Sequence, residues 1–277
     1  MVTRRRVLAG AAALAAGGAL GSGGRARAAG ILYGCNHTAF AGMLSVIPQT
    51  ASCRSYLTPG QGIPASWPGT KIPAGVGTLI LSFHPDPHAL GAGRLDKPLA
   101  AFMAGARRGD YLVAWHEANL LGSSFQTRYH ATARDFRRMQ ARLKRLAGRV
   151  NPGLRVAQVL GTYGTSGSAV PWTEPGLDLY GLDGYGKPGG VTPADRFSSS
   201  VADIRSVVPG APVGVVETNA YQRGAFGQIQ WFQDCFAFAV AHGMIAWATW
   251  WGPHDGAPPF NPQGAYVPAL RQIAAQA

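Results

Sequence analysis

Short apolar runs recur along this chain, separated by longer stretches in which apolar residues return every three or four positions. The runs lie at 31–35 (ILYGC), 53–57 (CRSYL), 78–83 (TLILSF), 111–115 (YLVAW), 155–161 (RVAQVLG), 177–183 (LDLYGLD), 213–217 (VGVVE) and 245–251 (IAWATWW). Such near-continuous apolar runs suit strands covered on both faces, as in a parallel sheet. Helical spacing is clearest over 96–106, 132–147, 193–207, 227–242 and 265–276, whereas Pro and Gly fill 58–76. Strands that alternate with helices predict an α/β fold with crossover connections.

Eight such units in about 250 residues predict one (β/α)8 TIM barrel, a single domain over residues 29–277. An open doubly wound sheet would use the same runs. No Gly-rich phosphate fingerprint follows the first run, so dinucleotide binding has no support and no cofactor is expected. In a barrel, reactive side chains belong at the C-terminal tips of the strands.

Residues 1–28 read differently. Arg4, Arg5 and Arg6 precede an Ala/Leu/Gly run, and Ala26–Arg27–Ala28 fits a small-residue cleavage site. That is the build of a signal peptide. Thr3, the adjacent arginines and a mildly hydrophobic run favour the twin-arginine type over an ordinary Sec signal. The expectation is therefore a bacterial protein, secreted or in the cell envelope, with no transmembrane segment, because no apolar run is long enough to span. Removing 1–28 takes away five arginines and no acid, so the formal charge falls from +12 to +7. Cys35, Cys53 and Cys235 are too few for a disulfide framework. Cys35 and Cys53 could pair after export, and Cys235 reads as a core residue.

The basic excess is concentrated. Residues 128–149 hold Arg128, Arg134, Arg137, Arg138, Arg142, Lys144, Arg145 and Arg149 against Asp135 alone, while Phe136, Met139, Leu143 and Leu146 recur at helical spacing. This predicts an amphipathic helix with a basic outer face. The face is either simply solvated or attracts an anionic cell-wall polymer. No aromatic residues interleave with the arginines, so nucleic acid is not expected as a partner.

The chain has three glutamates. Glu117 ends the fourth run, Glu217 ends the seventh, and Glu174 sits in a Pro/Gly loop where solvation explains it. Either tip glutamate alone could be an ion pair inside the barrel, with Arg54 as partner. Two facing carboxylates at a barrel mouth suit cleavage of a glycosidic bond: one donates a proton to the leaving oxygen, the other attacks the anomeric carbon or activates water. Glu117 is expected beside apolar Trp115 and less ionised; Glu217 is expected to accept hydrogen bonds, with Tyr185 a candidate donor. Around them, the third run ends in SFHPDPH with His84, the sixth in GLDGYG with Asp183 and Tyr185, and the eighth in WATWWGPHDG with Trp247, Trp250, Trp251, His254 and Asp255. Aromatic faces and polar rims of this kind suit sugar rings.

A Glu on strand four and a Glu on strand seven form the pattern of the retaining glycoside hydrolases of clan A. His116 stands before Glu117 in WHEAN, and this resembles family 26, whose members carry His-Glu-x-Asn there. LDLYGLDGY is similar to the strand-six segment of that family and WATWW to its strand-eight segment. The resemblance implies Glu117 as acid/base and Glu217 as nucleophile. It implies His116, His84, Tyr185 and Trp250 around the sugar, Tyr185 touching the nucleophile and Trp250 forming a platform. Asn119, Asp183 and Arg54 complete the expected binding residues. It also implies a monomer acting on β-linked polysaccharide, β-mannan first, with β-glucan or xylan as other specificities. The chain is shorter than the usual barrel of that family.

Other chemistries lack their motifs. A zincin needs His at 120, where Leu120 stands, and no metal site is expected. No G-x-S-x-G nucleophile elbow occurs. A barrel that binds sugar without turnover is the remaining alternative, separated by whether reducing ends are released.

Overall fold

The computed structural model describes residues 31–57, 62–67, 72–164, 167–186, 190–220, 224–252 and 259–277. The signal segment 1–28, His254 and Asp255 lie outside the described residues. Eight parallel strands close in sequence order into a barrel: β1 Leu32–Asn36, β2 Ser52–Tyr56, β3 Thr78–Phe83, β4 Tyr111–His116, β5 Arg155–Gly161, β6 Leu179–Asp183, β7 Val213–Thr218 and β8 Ala246–Thr249. The expected (β/α)8 barrel is the architecture found.

Alternation along each strand divides the core in two. Ile80, Tyr111, Val113, Ala157, Val159, Leu179, Val216 and Ala246 fill the barrel. Tyr33, Leu81, Leu112, Val156, Val215 and Trp247 point outward into the layer beneath the helices. Side chains from successive strands fill the interior, so the barrel is a packed core and not a pore.

The helices are α1 Phe40–Val46, α2 Pro87–Gly91, α3 Asp96–Ala104, α4 Ser124–Thr127, α5 Ala133–Val150, α6 Pro193–Val207, α7 Gly224–Ala241 and α8 Val267–Ala274. Five match the helical stretches read from periodicity, while α1, α2 and α4 are too short to show a period. α5 and α6 both start at capping boxes, Thr132 with Asp135 and Thr192 with Asp195, in which hydroxyl and carboxylate satisfy free backbone N–H groups reciprocally. Among the described residues no helix joins β2 to β3, and a short 3-10 turn, Val170–Trp172, is the only helical element between β5 and β6. The Pro- and Gly-rich composition of both connections explains this.

Cys35 and Cys53 stand in register on β1 and β2, fully buried, and both are free thiols, as is Cys235. The Cys35–Cys53 pairing considered from the sequence is therefore not formed here. No helix among the described residues is long and apolar enough to cross a membrane.

Candidate active site

The barrel is regular except at β4 and β7. Between Val113 and His116, β4 advances three residues while β5 advances two. Between Val215 and Thr218, β7 advances three while β8 advances two, and between Val215 and Glu217 it advances two while β6 advances one. An extra residue of this kind is a β-bulge, which re-aims the side chains that follow it. Every register shift among the described strands thus falls on a strand that carries a tip glutamate.

The consequence can be followed residue by residue. On β4, Val113 faces the barrel and strict alternation would send Trp115 inward and His116 outward. Instead Trp115, with φ of 59°, packs in the outer layer against Phe125 and Tyr129. His116 turns inward, edge-on to Tyr56 and 3.1 Å from His84. Glu117 follows with φ of 58°, a left-handed conformation that non-glycine residues seldom adopt and that clusters at functional sites. On β7, Val216 faces the barrel, and alternation would turn Glu217 toward the helices. The bulge reverses this. Thr218 takes the outward place, accepting a hydrogen bond from Trp231 Nε1 of α7, and Glu217 faces the mouth.

Both carboxylates are held by tyrosines. Tyr163, just past β5, donates to Glu117 Oε1 at 2.6 Å. Tyr185, two residues past β6, donates to Glu217 Oε1, and Tyr56, the last residue of β2, donates to Glu217 Oε2. The Tyr163 and Tyr185 rings meet edge to face at 5.5 Å, linking the two clusters. Burial, helped by the neighbouring carboxylates, pushes the Tyr163 and Tyr56 hydroxyls far above the usual tyrosine range, so both stay protonated and act as donors. Tyr185 is where the sequence expects a donor to Glu217. Tyr56 and Tyr163 were not read from the sequence: each sits at a strand tip, but a single Tyr beside a turn gives no local signal.

Arg54 and Asp183 lie under this cluster at 1% and 0% exposure, paired at 3.4 Å. They were expected to bind sugar, yet at that depth they face Glu217 and each other. Burial alone would depress the Arg54 guanidinium; the fields of Asp183, Tyr56 and Glu217 outweigh it and push it up. Burial lifts Asp183 well above the usual carboxylate range, with Glu217 and Glu117 adding to the rise and Arg54 opposing it. Arg54 is thus a fixed positive charge amid three carboxyl groups, and it also lies 5.2 Å from the Tyr56 ring centroid.

His84 stacks on Trp115 with centroids 4.2 Å apart. Burial, with Arg54 adding to it, lowers the His84 imidazole to about 4, and burial holds His116 well below the usual imidazole range with help from His84 and Arg54. Both rings are neutral near pH 7, one donating and one accepting in their shared hydrogen bond. Asn119 is buried with its amide Nδ2 donating to the Gly161 carbonyl and its Oδ1 accepting from Gly161 N–H. It braces the loop after β4 against β5. Trp250 is half-buried beside Tyr56, centroids 5.4 Å apart, whereas Trp247 and Trp251 are buried in the outer layer. The apolar surroundings expected for Glu117 from Trp115 are absent, because the bulge turns that indole away. Glu174 lies in the stretch leading into the N-terminal end of β6; it is half-buried rather than fully solvated, and burial raises its carboxyl against Arg137 and Arg145.

No family model and no curated protein matches the chain. Solved structures do. An endo-β-1,4-mannanase from Cellulomonas fimi, as a double mutant, is 17% identical with a TM-score of 0.59, over 90% of this chain and 71% of that one. A family 26 β-mannanase from Bacteroides ovatus is 13% identical with a TM-score of 0.56, over 88% of both chains. A family 5 subfamily 4 broad-specificity endoglucanase from Clostridium longisporum is 10% identical with a TM-score of 0.57, over 89% of this chain and 96% of that one. What the chain shares with all three, at these identities, is the fold: a single (β/α)8 barrel.

Proposed function

We propose that the chain is a retaining glycoside hydrolase of β-linked polysaccharide, with Glu117 as acid/base and Glu217 as nucleophile. The observation that carries this reading is the pair of bulges on the two strands that carry the tip glutamates: the β7 bulge turns Glu217 to the mouth, and the β4 bulge turns His116 inward just before Glu117, at a cost in strand regularity. A merely structural ion pair would need no such device. Tyr56 and Tyr185 hold Glu217 by both oxygens, which fixes an attacking carboxylate in one orientation. Tyr163 donates to Glu117 and orients the carboxyl that carries the proton for the leaving group. Arg54 beneath the cluster favours an ionised nucleophile. The neutral His84–His116 pair and Trp250 supply hydroxyl-binding and stacking groups. The folds named above belong to proteins described as mannanases and an endoglucanase, which supports endo action on β-mannan or β-glucan. Export through the 1–28 signal and action as a monomer complete the proposal.

Reducing-end release from mannan, xylan, mixed-linkage glucan and chitin tests it. Glu217→Ala is expected to stop turnover on every substrate. Glu117→Ala is expected to stop turnover of polysaccharide but to spare aryl glycosides, whose leaving group needs little protonation. Glu174→Ala serves as a control and keeps activity. The first product seen by NMR is expected to retain the anomeric configuration of the substrate. An inverted product, or full activity in either tip variant, would sink the assignment; sugar binding without any turnover would favour the non-catalytic barrel.

A further inference from the structure

The excess of positive charge of the barrel is concentrated in one sector. Residues 86–150 hold twelve Lys/Arg and five Asp/Glu, whereas residues 151–277 hold six Lys/Arg and eight Asp/Glu. The sector is built by α2, α3 and α5, which pack together. Arg134, Arg138, Arg142, Arg145 and Arg149 fall on one stripe of α5, spanning about 80° of the helix circumference and about 22 Å of its length. Arg142 and Arg149 converge on Asp96 of α3. Arg134, Arg138 and Arg145 are exposed, and none of them forms a salt bridge among the described residues.

This arrangement works against folding. Arg134 and Arg138, Arg138 and Arg142, and Arg145 and Arg149 are i,i+4 neighbours of like charge, which repel. Arg134 also stands in the first turn, at the positive end of the helix dipole. A face selected only for solubility mixes its signs. A stripe that is repulsive along the helix, offset by Asp96 at Arg142 and Arg149, is accounted for by something that binds its exposed arginines.

We propose that this wall of the barrel binds an extended acidic polysaccharide, with uronate carboxylates seated on the arginines. Guanidinium forks take carboxylate oxygens in pairs, and a row at roughly one per turn matches a linear polymer with repeated anions. Because the strands are parallel, α5 runs back from the mouth, so the Arg134 end lies beside the rim that carries Glu117 and the stripe continues down the outer wall. A strand held there is kept at high local concentration next to the mouth. The choice of a carbohydrate as the polymer rests on the proposed glycosidase reading; the existence of a polyanion site does not.

The experiment compares the full chain with a triple Arg134→Gln, Arg138→Gln, Arg145→Gln variant on polygalacturonate-agarose, eluted with sodium chloride. Wild type is expected to be retained, with an association constant that falls steeply with salt. Loss of three charges is expected to flatten the slope of log K against log salt by about 2, at about 0.7 per neutralised charge on a flexible polyanion. The triple variant is expected to melt no lower than wild type, since repulsion is removed, and to keep its turnover of a neutral soluble β-glycan. Failure of wild type to bind, an unchanged slope, a lowered melting temperature or equal retention on neutral galactomannan-agarose would overturn the proposal. Tighter retention on duplex DNA or poly(glycerol phosphate) of matched charge would overturn the uronate assignment. Wild type retained on polygalacturonate yet inactive on every neutral glycan would defeat the glycosidase reading and leave the polyanion site standing.

Discussion

Glu217 accepts one tyrosine hydroxyl on each carboxylate oxygen, from Tyr185 and from Tyr56. Each is a hydrogen bond to a charged group, worth about 1.5–3 kcal/mol. Tyr56→Phe keeps the ring that packs on His116 and Trp250 and removes only the hydroxyl. It is expected to lower kcat/KM by roughly ten- to a hundredfold and stability by no more than the bond itself, about 1.5–3 kcal/mol, as steady-state kinetics beside thermal unfolding would show. The two tryptophans of the eighth unit separate in the same way. Trp247, fully buried, is expected to cost about 3–5 kcal/mol of stability as Trp247→Ala. Trp250→Ala is expected to lose much less stability but to weaken catalysis. A large fall in melting temperature for Trp250→Ala, with activity per folded molecule unchanged, would remove its role as a sugar platform.

At the scale of elements, the β7 bulge depends on space in its neighbour. Val216 is the residue that the bulge leaves inside the barrel, and a Cβ at Gly181 on β6 would come within 2.6 Å of its Cγ2 and 2.9 Å of Val159 Cγ2. Gly181 is thus required by the close approach of packed side chains. Gly181→Ala is expected to destabilise the barrel by about 1–3 kcal/mol, as overpacking does, and to displace the β7 tip. Activity should then fall further than stability alone explains. Thr132, which caps α5, offers a contrast at the same scale. Thr132→Ala removes one half of a capping box and is expected to cost about 0.5–2 kcal/mol in denaturant unfolding. Retained turnover in that variant would show that helix stability and site geometry are separable.

The whole molecule carries a pH dependence set by its buried imidazoles. His84 is lowered to about 4 and His116 lies well below its ordinary value, with Tyr56, Arg54 and the two rings themselves as the groups they face. A lowered His pKa means that the folded state binds fewer protons than the unfolded state, whose imidazoles take up protons below about 6.5. The imidazoles' contribution to stability is therefore complete above about 6.5 and declines as pH falls toward 4, while the raised carboxyls of Asp183 and Glu174 act in the opposite sense. Urea titrations between pH 7 and 4 are expected to show that decline, and a His84→Gln variant is expected to reduce it. A His84→Gln profile that declines as steeply as wild type would mean that the His84 ring is hydrated and charged in the fold.

The sequence by itself determined the barrel and its single-domain size, because eight apolar runs separated by helical spacing have few other ways to bury both faces of a parallel sheet. It also singled out Glu117 and Glu217, since a charge at the end of a buried run is rare enough to stand out in a chain with three glutamates. It placed Tyr185, His84, His116 and Trp250 at strand tips, where the structure has them. What it left open was direction. Period-two alternation would turn Glu217 and His116 toward the helices, and only the extra residues in β7 and β4 bring them to the mouth. A bulge is a mismatch between two strands, so it exists in the pairing and not in either segment alone. Depth was equally hidden. Arg54 and Asp183 read as rim residues, yet the barrel closes over them and makes them an electrostatic floor, because residues on different strands acquire a common depth only when the sheet closes with its shear. The partnerships of Tyr56 with Glu217 and of Tyr163 with Glu117 join residues 161 and 46 positions apart, a separation that local pattern does not span and that the tertiary structure decides.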